Sequence, residues 1–157
     1  MMNLSKKKGI SFGLVSSILT NLGIIVGLNA GTHSKAAVLS GILTVALSDG
    51  LSDSLGIHIS EEAENKHTPE QVWTATVFTF LTKFFFSMTF IVPLVLLSLS
   101  QAVTVSIVWG FLLLFAYTMY IGRNRKNKWR FVLEDFAIAV LVIVSTELLG
   151  RLINRIL

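Results

Sequence analysis

Five long apolar runs, each closed by a short polar cluster, govern what this 157-residue chain can become. About 20 apolar residues wound as a helix cover the roughly 30 Å of hydrocarbon in a bilayer. A backbone placed there must satisfy its own hydrogen bonds, which a helix does. The runs fall at residues 11–28, 36–59, 70–99, 103–121 and 131–154. They predict an all-α polytopic membrane protein with about five transmembrane helices, folded as one domain over residues 1–157. Only 14% of the residues are charged, against about 25% in a soluble domain, and the mean hydropathy is +0.73.

The boundaries carry their own signals. Lys6, Lys7 and Lys8 precede a first apolar stretch that is longer than a signal-peptide core, so it reads as a retained helix. Thr68-Pro69-Glu70-Gln71 combines an N-cap, a proline at the first helical position and a glutamine three residues on, the pattern of a capping box that opens the third helix. Pro93 falls late in that helix and predicts a kink. A minimal turn at residues 98–101 leads into the fourth.

Basic residues set the expected orientation. Lys6, Lys7, Lys8, Lys66, Arg123, Arg125, Lys126, Lys128 and Arg130 fall on one side of a five-span topology, and Lys35, Arg151 and Arg155 on the other. By the positive-inside rule the N-terminus is expected in the cytoplasm and the C-terminus on the opposite side of the cell membrane. The two tail arginines are discordant and would snorkel to headgroups. The net charge of +4 is thus a topology signal, and no nucleic-acid partner is expected. The lack of cysteine excludes disulfides, thiolate metal sites and thiol nucleophiles.

Two carboxylates stand where the bilayer disfavours charge. Asp49 and Asp53 lie inside the second span, four residues apart, and so project from one helix face. Each costs several kcal/mol at mid-membrane unless it meets a partner or a watery path. Ser52, Gly56 and Ser60 extend the polar stripe, with Ser48 beside it, and together they read as an ion path. Lys83, inside the third span, is the natural counter-ion. Pairing with Lys83 as interhelical glue and participation in ion movement both remain open, and they are compatible.

Other candidates follow by chemistry. Asn21 in the first span offers an amide oxygen to a hard cation. His58, Glu61, Glu62, Glu64 and His67 gather at the end of the second span, and imidazole with carboxylate suits Fe(II), Mn(II) or Zn(II). A solvated acidic helix end is the alternative. Glu134 and Asp135 read as acidic residues near a helix N-terminus, whereas Glu147, deep in the fifth span, is a candidate proton or ion site. Neither a nucleophile–base pair, an HExxH pattern nor a phosphate loop is present, so no enzyme is expected and no tightly bound cofactor. Small residues in the first span, among them Gly13, Ser16, Ser17, Gly23 and Gly27, predict close helix packing.

The residue order resembles the vacuolar iron transporter family of Fe(II)/Mn(II) membrane transporters. Phe12-Gly13 through Gly27 is similar to its first-span pattern, and Gly41 followed by Ser52-Asp53-Ser54-Leu55-Gly56-Ile57-His58-Ile59-Ser60 to its second-span signature. Pro93 and the ending Glu147-Leu-Leu-Gly150-Arg151 also fit. The resemblance implies a homodimer that moves Fe(II) or Mn(II) between the first and second spans of both protomers in exchange for protons. Departures are specific. Ser16 stands where the family has a first-span aspartate, Asp53 where it has a methionine, and Ile57 where it has a glutamate. The long acidic insert of many members is reduced to residues 61–68. These changes suggest that Asp49 and Asp53 replace the missing first-span carboxylate. The alternatives to a transporter are a non-transporting protein of the same shape held by Asp–Lys pairing, and an intramembrane enzyme.

Overall fold

The computed structural model describes residues 4–123 and 127–156; Arg125 and Lys126, two of the basic loop residues above, lie outside them. The chain folds as α1 (Leu4–Thr32), α2 (Lys35–Ala63), α3 (Pro69–Leu96), α4 (Leu99–Gly122) and α5 (Lys128–Ile156). All five are long and apolar enough to cross a membrane, and there is no strand among the described residues. The helices begin and end beyond the apolar runs, α1 most of all, except that α3 stops at Leu96, short of the expected 99, where the chain turns into α4. The polar residues at its start, from Ser5 to Lys8, continue the helix because lysine is a good helix former and its apolar stem can lie along the bundle.

Each break has a local cause. His33 and Asn65 adopt left-handed backbone (φ 50° for both) and end α1 and α2. Ser34 caps α2, its hydroxyl accepting from the Ala37 amide. Thr68 and Gln71 form the expected capping box, with Pro69 opening α3. The helix continues past Pro93 to Leu96, and Ser98 with Gln101 turns the chain directly into α4.

The helices alternate in direction, so one face of the bundle holds the start of α1, α3 and α5 and the end of α2 and α4. Contacts between Lys8 and Glu64, Ser11 and Tyr117, and Thr118 and Asp135 mark that face. Lys35 bonded to the Leu97 carbonyl and Asn154 beside His33 mark the other. Helix α1 is the centre and touches all four others, whereas α5 packs on α1 and α4. The apolar window of α1 is 56% buried and that of α5 only 11%, which makes α1 the core and leaves the leucine-rich sides of α2 and α5 facing outward. Such wide apolar exposure suits lipid rather than water.

Close approach is what lets α1 serve four neighbours. A Cβ on Gly13 would lie 2.5 Å from the Thr79 carbonyl oxygen of α3, and one on Gly9 would collide with that of Ala75. At the far end, a Cβ on Gly150 of α5 would run into the Gly27 carbonyl and sit 2.9 Å from Ala30 Cβ. Small residues replace the hydrophobic effect as the packing device in lipid. Gly150→Val should therefore cost about 1–3 kcal/mol of overpacking. Gly56→Ala, with open space around it, should be neutral or stabilise by up to about 1 kcal/mol. Unfolding in detergent micelles separates them, and a Gly150→Val protein as stable as wild type would refute the contact.

Candidate cation site

Asp49 is the midpoint of α2, and Lys83 and Ser16 lie near the midpoints of α3 and α1. Their side chains meet. Lys83 Nζ contacts Asp49 Oδ2 and lies 2.5 Å from Asp53 Oδ2. It also donates to Ser16 Oγ at 2.8 Å, while that hydroxyl donates to Asp53 at 2.5 Å. Thr20 Oγ1 donates to Asp49 Oδ2 at 3.3 Å. The lysine side chain is 1% exposed; those of Asp49 and Asp53 are 36% and 20% exposed, opening to the side of the bundle.

The helices explain the convergence. The four-residue step brings both aspartates to the α2 edge that meets α1 and α3, while Gly13 draws α3 against α1 one turn away. A buried ammonium needs acceptors for its three protons, and the two carboxylates and Ser16 supply them. The formal charge of the group is one ammonium against two carboxylates, +1 − 2 = −1. Unneutralised charge at the middle of an apolar bundle is costly.

A second acidic group sits at the α1-start face. Glu61 is two α-helical repeats of four residues beyond Asp53, on the same line of α2, and its side chain is fully buried. Lys8 makes an ion-pair contact with it that lacks hydrogen-bond geometry, so both Glu61 oxygens are without a hydrogen bond. Lys8 also donates to Glu64 at 3.0 Å. Ligand atoms of Glu61, Glu64 and His67 lie within 4.8 Å of one another, beside a cavity of about 740 Å³ between the ends of α1 and α2. The Lys8 hydrogen bond, with a smaller contribution from His67, holds the Glu64 carboxyl below its usual value. The contact is therefore complete at neutral pH and is lost as acid brings Glu64 through that lowered value. Both acidic groups thus share one property: an internal ammonium already occupies the place of a cation.

The other expected ligands separate from these. His58 Nδ1 pairs with Thr76 Oγ1 at 2.9 Å, its ring packs edge-on to Trp73, and its Nε2 is 3.5 Å from the exposed Glu62. The mouth cluster is therefore two clusters, because Glu61 and Glu62 point 100° apart on a helix. Asn21 turns towards α3, its amide nitrogen donating to the Ser17 carbonyl and to Ser87 Oγ at 2.8 Å each, with Oδ1 buried and unpaired. Ser52, Gly56 and Ser60 face outward, one helical step from the aspartates. Glu147 pairs with Arg151 near the opposite membrane face. Asp135 reaches across to Thr118, and Glu134 pairs with Arg130.

Sequence reasoning missed three partners. Ser16 reads as a packing residue and Thr20 carries no distinct signal, and only the fold of α1 against α2 brings them to the carboxylates. Lys8 reads as a topology charge. The one available signal was the four-residue series 49, 53, 57, 61, which puts Glu61 in line with the aspartates.

Removing Lys83 as Lys83→Met should destabilise the protein by about 3 kcal/mol, since it strands two carboxylates. Adding Asp49→Asn and Asp53→Asn should recover most of that loss. Unfolding of the four proteins in one detergent tests the cycle, and strict additivity would contradict the shared ion pair. The chain matches no protein-family model, no curated protein and no solved structure.

Proposed function

We propose that this chain is a membrane transporter for divalent metal ions, Fe(II) or Mn(II), coupled to protons through Asp49 and Asp53. The reading rests on one observation: two mid-helix carboxylates share a single buried ammonium and retain a formal charge of −1. A structural ion pair needs one carboxylate; the second is surplus to neutrality and available to a proton or a cation. The Glu61, Glu64 and His67 group supplies a metal-compatible donor set on the same line of α2. Metal gathers there, displaces the Lys8 ammonium, and passes along α1 to the aspartates, where it displaces a proton.

The resemblance noted above adds a second support. Asp53 accepts a 2.5 Å hydrogen bond from Ser16 Oγ, the residue at the position of the family's first-span aspartate. A carboxylate on α2 thus reaches the point that one on α1 would occupy. The proposal includes a homodimer, in which the outward sides of α2 meet and two copies of Asp53 complete one coordination shell. It also includes a cytoplasmic N-terminus in the cell membrane, from the basic bias of the α1-start face.

A specific observation favours a second reading. Lys83 contacts both aspartates, as required of interhelical glue in a protein that moves nothing. Flux separates the two. Purified protein in proteoliposomes should take up Fe(II) or Mn(II) with opposite proton movement, and Asp53→Asn should slow uptake at least about tenfold, the scale of losing one charged ligand contact. No flux from folded wild-type protein would leave the glue reading standing. Equal flux in Asp53→Asn would remove Asp53 from the path.

A further inference from the structure

The basic residues of the α1-start face include two that the account so far does not use. Lys7, in the first turns of α1, and Arg123, which caps α4, line one cavity of about 310 Å³ with Ile10, Ser11, Tyr117, Tyr120 and Ile121. Tyr117 Oη donates to Ser11 Oγ, and Ser11 Oγ donates to the Lys7 carbonyl at 2.7 Å, so these hydroxyls form the fixed floor between α1 and α4. The two cationic side chains have no carboxylate partner among the described residues, in contrast to Lys8, Lys83, Arg130 and Arg151. Tyr120 is exposed and makes no hydrogen bond among the described residues.

We propose that this cavity binds the phosphate headgroup of an anionic phospholipid in the leaflet on the α1-start side. Three features select a lipid over a free anion. The cavity is at the end of two membrane-crossing helices, the depth at which headgroups lie. Its lining is mixed, with the cationic Lys7 and Arg123 beside Tyr117, Tyr120 and the apolar Ile10 and Ile121, which matches a charged phosphodiester joined to a glycerol and acyl chain. Tyrosines beside it are the residues that favour the membrane–water boundary. Basic pockets between transmembrane helices bind anionic headgroups in this way. The guanidinium offers a two-pronged donor to phosphate oxygens, and the ammonium a point charge. A lipid bound here would bridge the start of α1 to the end of α4. This would stiffen the end of α1 that carries Lys8, the residue paired with Glu61 and Glu64. The inference stands without the transport reading.

Native mass spectrometry of the full-length protein, titrated with phosphatidylglycerol in detergent, tests it. One saturable lipid is expected, bound more tightly than phosphatidylcholine, with no competition from millimolar inorganic phosphate. Lys7→Gln combined with Arg123→Gln should weaken phosphatidylglycerol binding roughly twenty-five-fold, from a factor of five for each charge. The charge-keeping pair Lys7→Arg with Arg123→Lys should hold binding near the wild-type level and exclude a folding defect as the cause. Unchanged affinity in the double glutamine variant would overturn the proposal, as would phosphatidylcholine binding equally well. Displacement of the lipid by inorganic phosphate would also overturn it, by assigning the cavity to a free anion.

Discussion

An ammonium buried at the middle of a membrane bundle, shared between two carboxylates, is the interaction on which the rest of this structure depends. Lys83 could not sit there alone, and Asp49 and Asp53 could not face lipid alone. Together, with Ser16 and Thr20 as hydrogen-bond donors, they bind α2 and α3 to α1 at the depth where any unpaired polar atom is most costly. The group fixes the relative rotation of three helices. A turn of α2 by one residue would send both aspartates into lipid and bring Ser48 and Ser52 inward.

That demand explains the packing around it. Helices α2 and α3 pack directly on each other as well as on α1, and Gly9 and Gly13 bring the α1 and α3 backbones together so that Ser16 meets Lys83. The same device at Gly27 and Gly150 draws α5 to the other end of α1. Helix α2 is left with its leucine side open, and the carboxylates lie at the edge of that opening. The ion pair and the small residues thus act as one design: backbones approach where side chains are absent, and charge is placed where approach makes it reachable.

Much of this was legible in the sequence, unevenly. The five helices followed from apolar run length, and the break before α3 from Thr68, Pro69 and Gln71, because both signals are local. The pairing of Lys83 with the aspartates was also legible, since a lone cation and two anions in adjacent spans have few other partners. The contact of Lys8 with Glu61 was not. It joins residues far apart in sequence, and although the topology puts both on one side, which lysine turns to which glutamate depends on helix rotation. Asn21 fell on the α3 side of α1 rather than the α2 side, a rotation that a helix with polar residues on several sides does not encode. Glu147 found its partner one turn away in Arg151, which also accounts for one of the two basic residues that sat uneasily with the orientation rule. The mouth cluster divided for a related reason: neighbours in sequence point to different sides of a helix, and the acidic run gave composition without direction.

The central proposal is that the second carboxylate of the Asp49–Asp53 pair, which the Lys83 ammonium leaves unneutralised, holds a proton at rest and gives it up when a cation binds. Infrared difference spectroscopy on adding Mn(II) to the purified protein reads that exchange directly. The account predicts loss of a protonated carboxyl band together with a shifted carboxylate band, both removed by Asp49→Asn with Asp53→Asn and retained in Glu147→Gln. A spectrum in which Mn(II) changes no carboxyl signal, or changes one that survives loss of both aspartates, would contradict it.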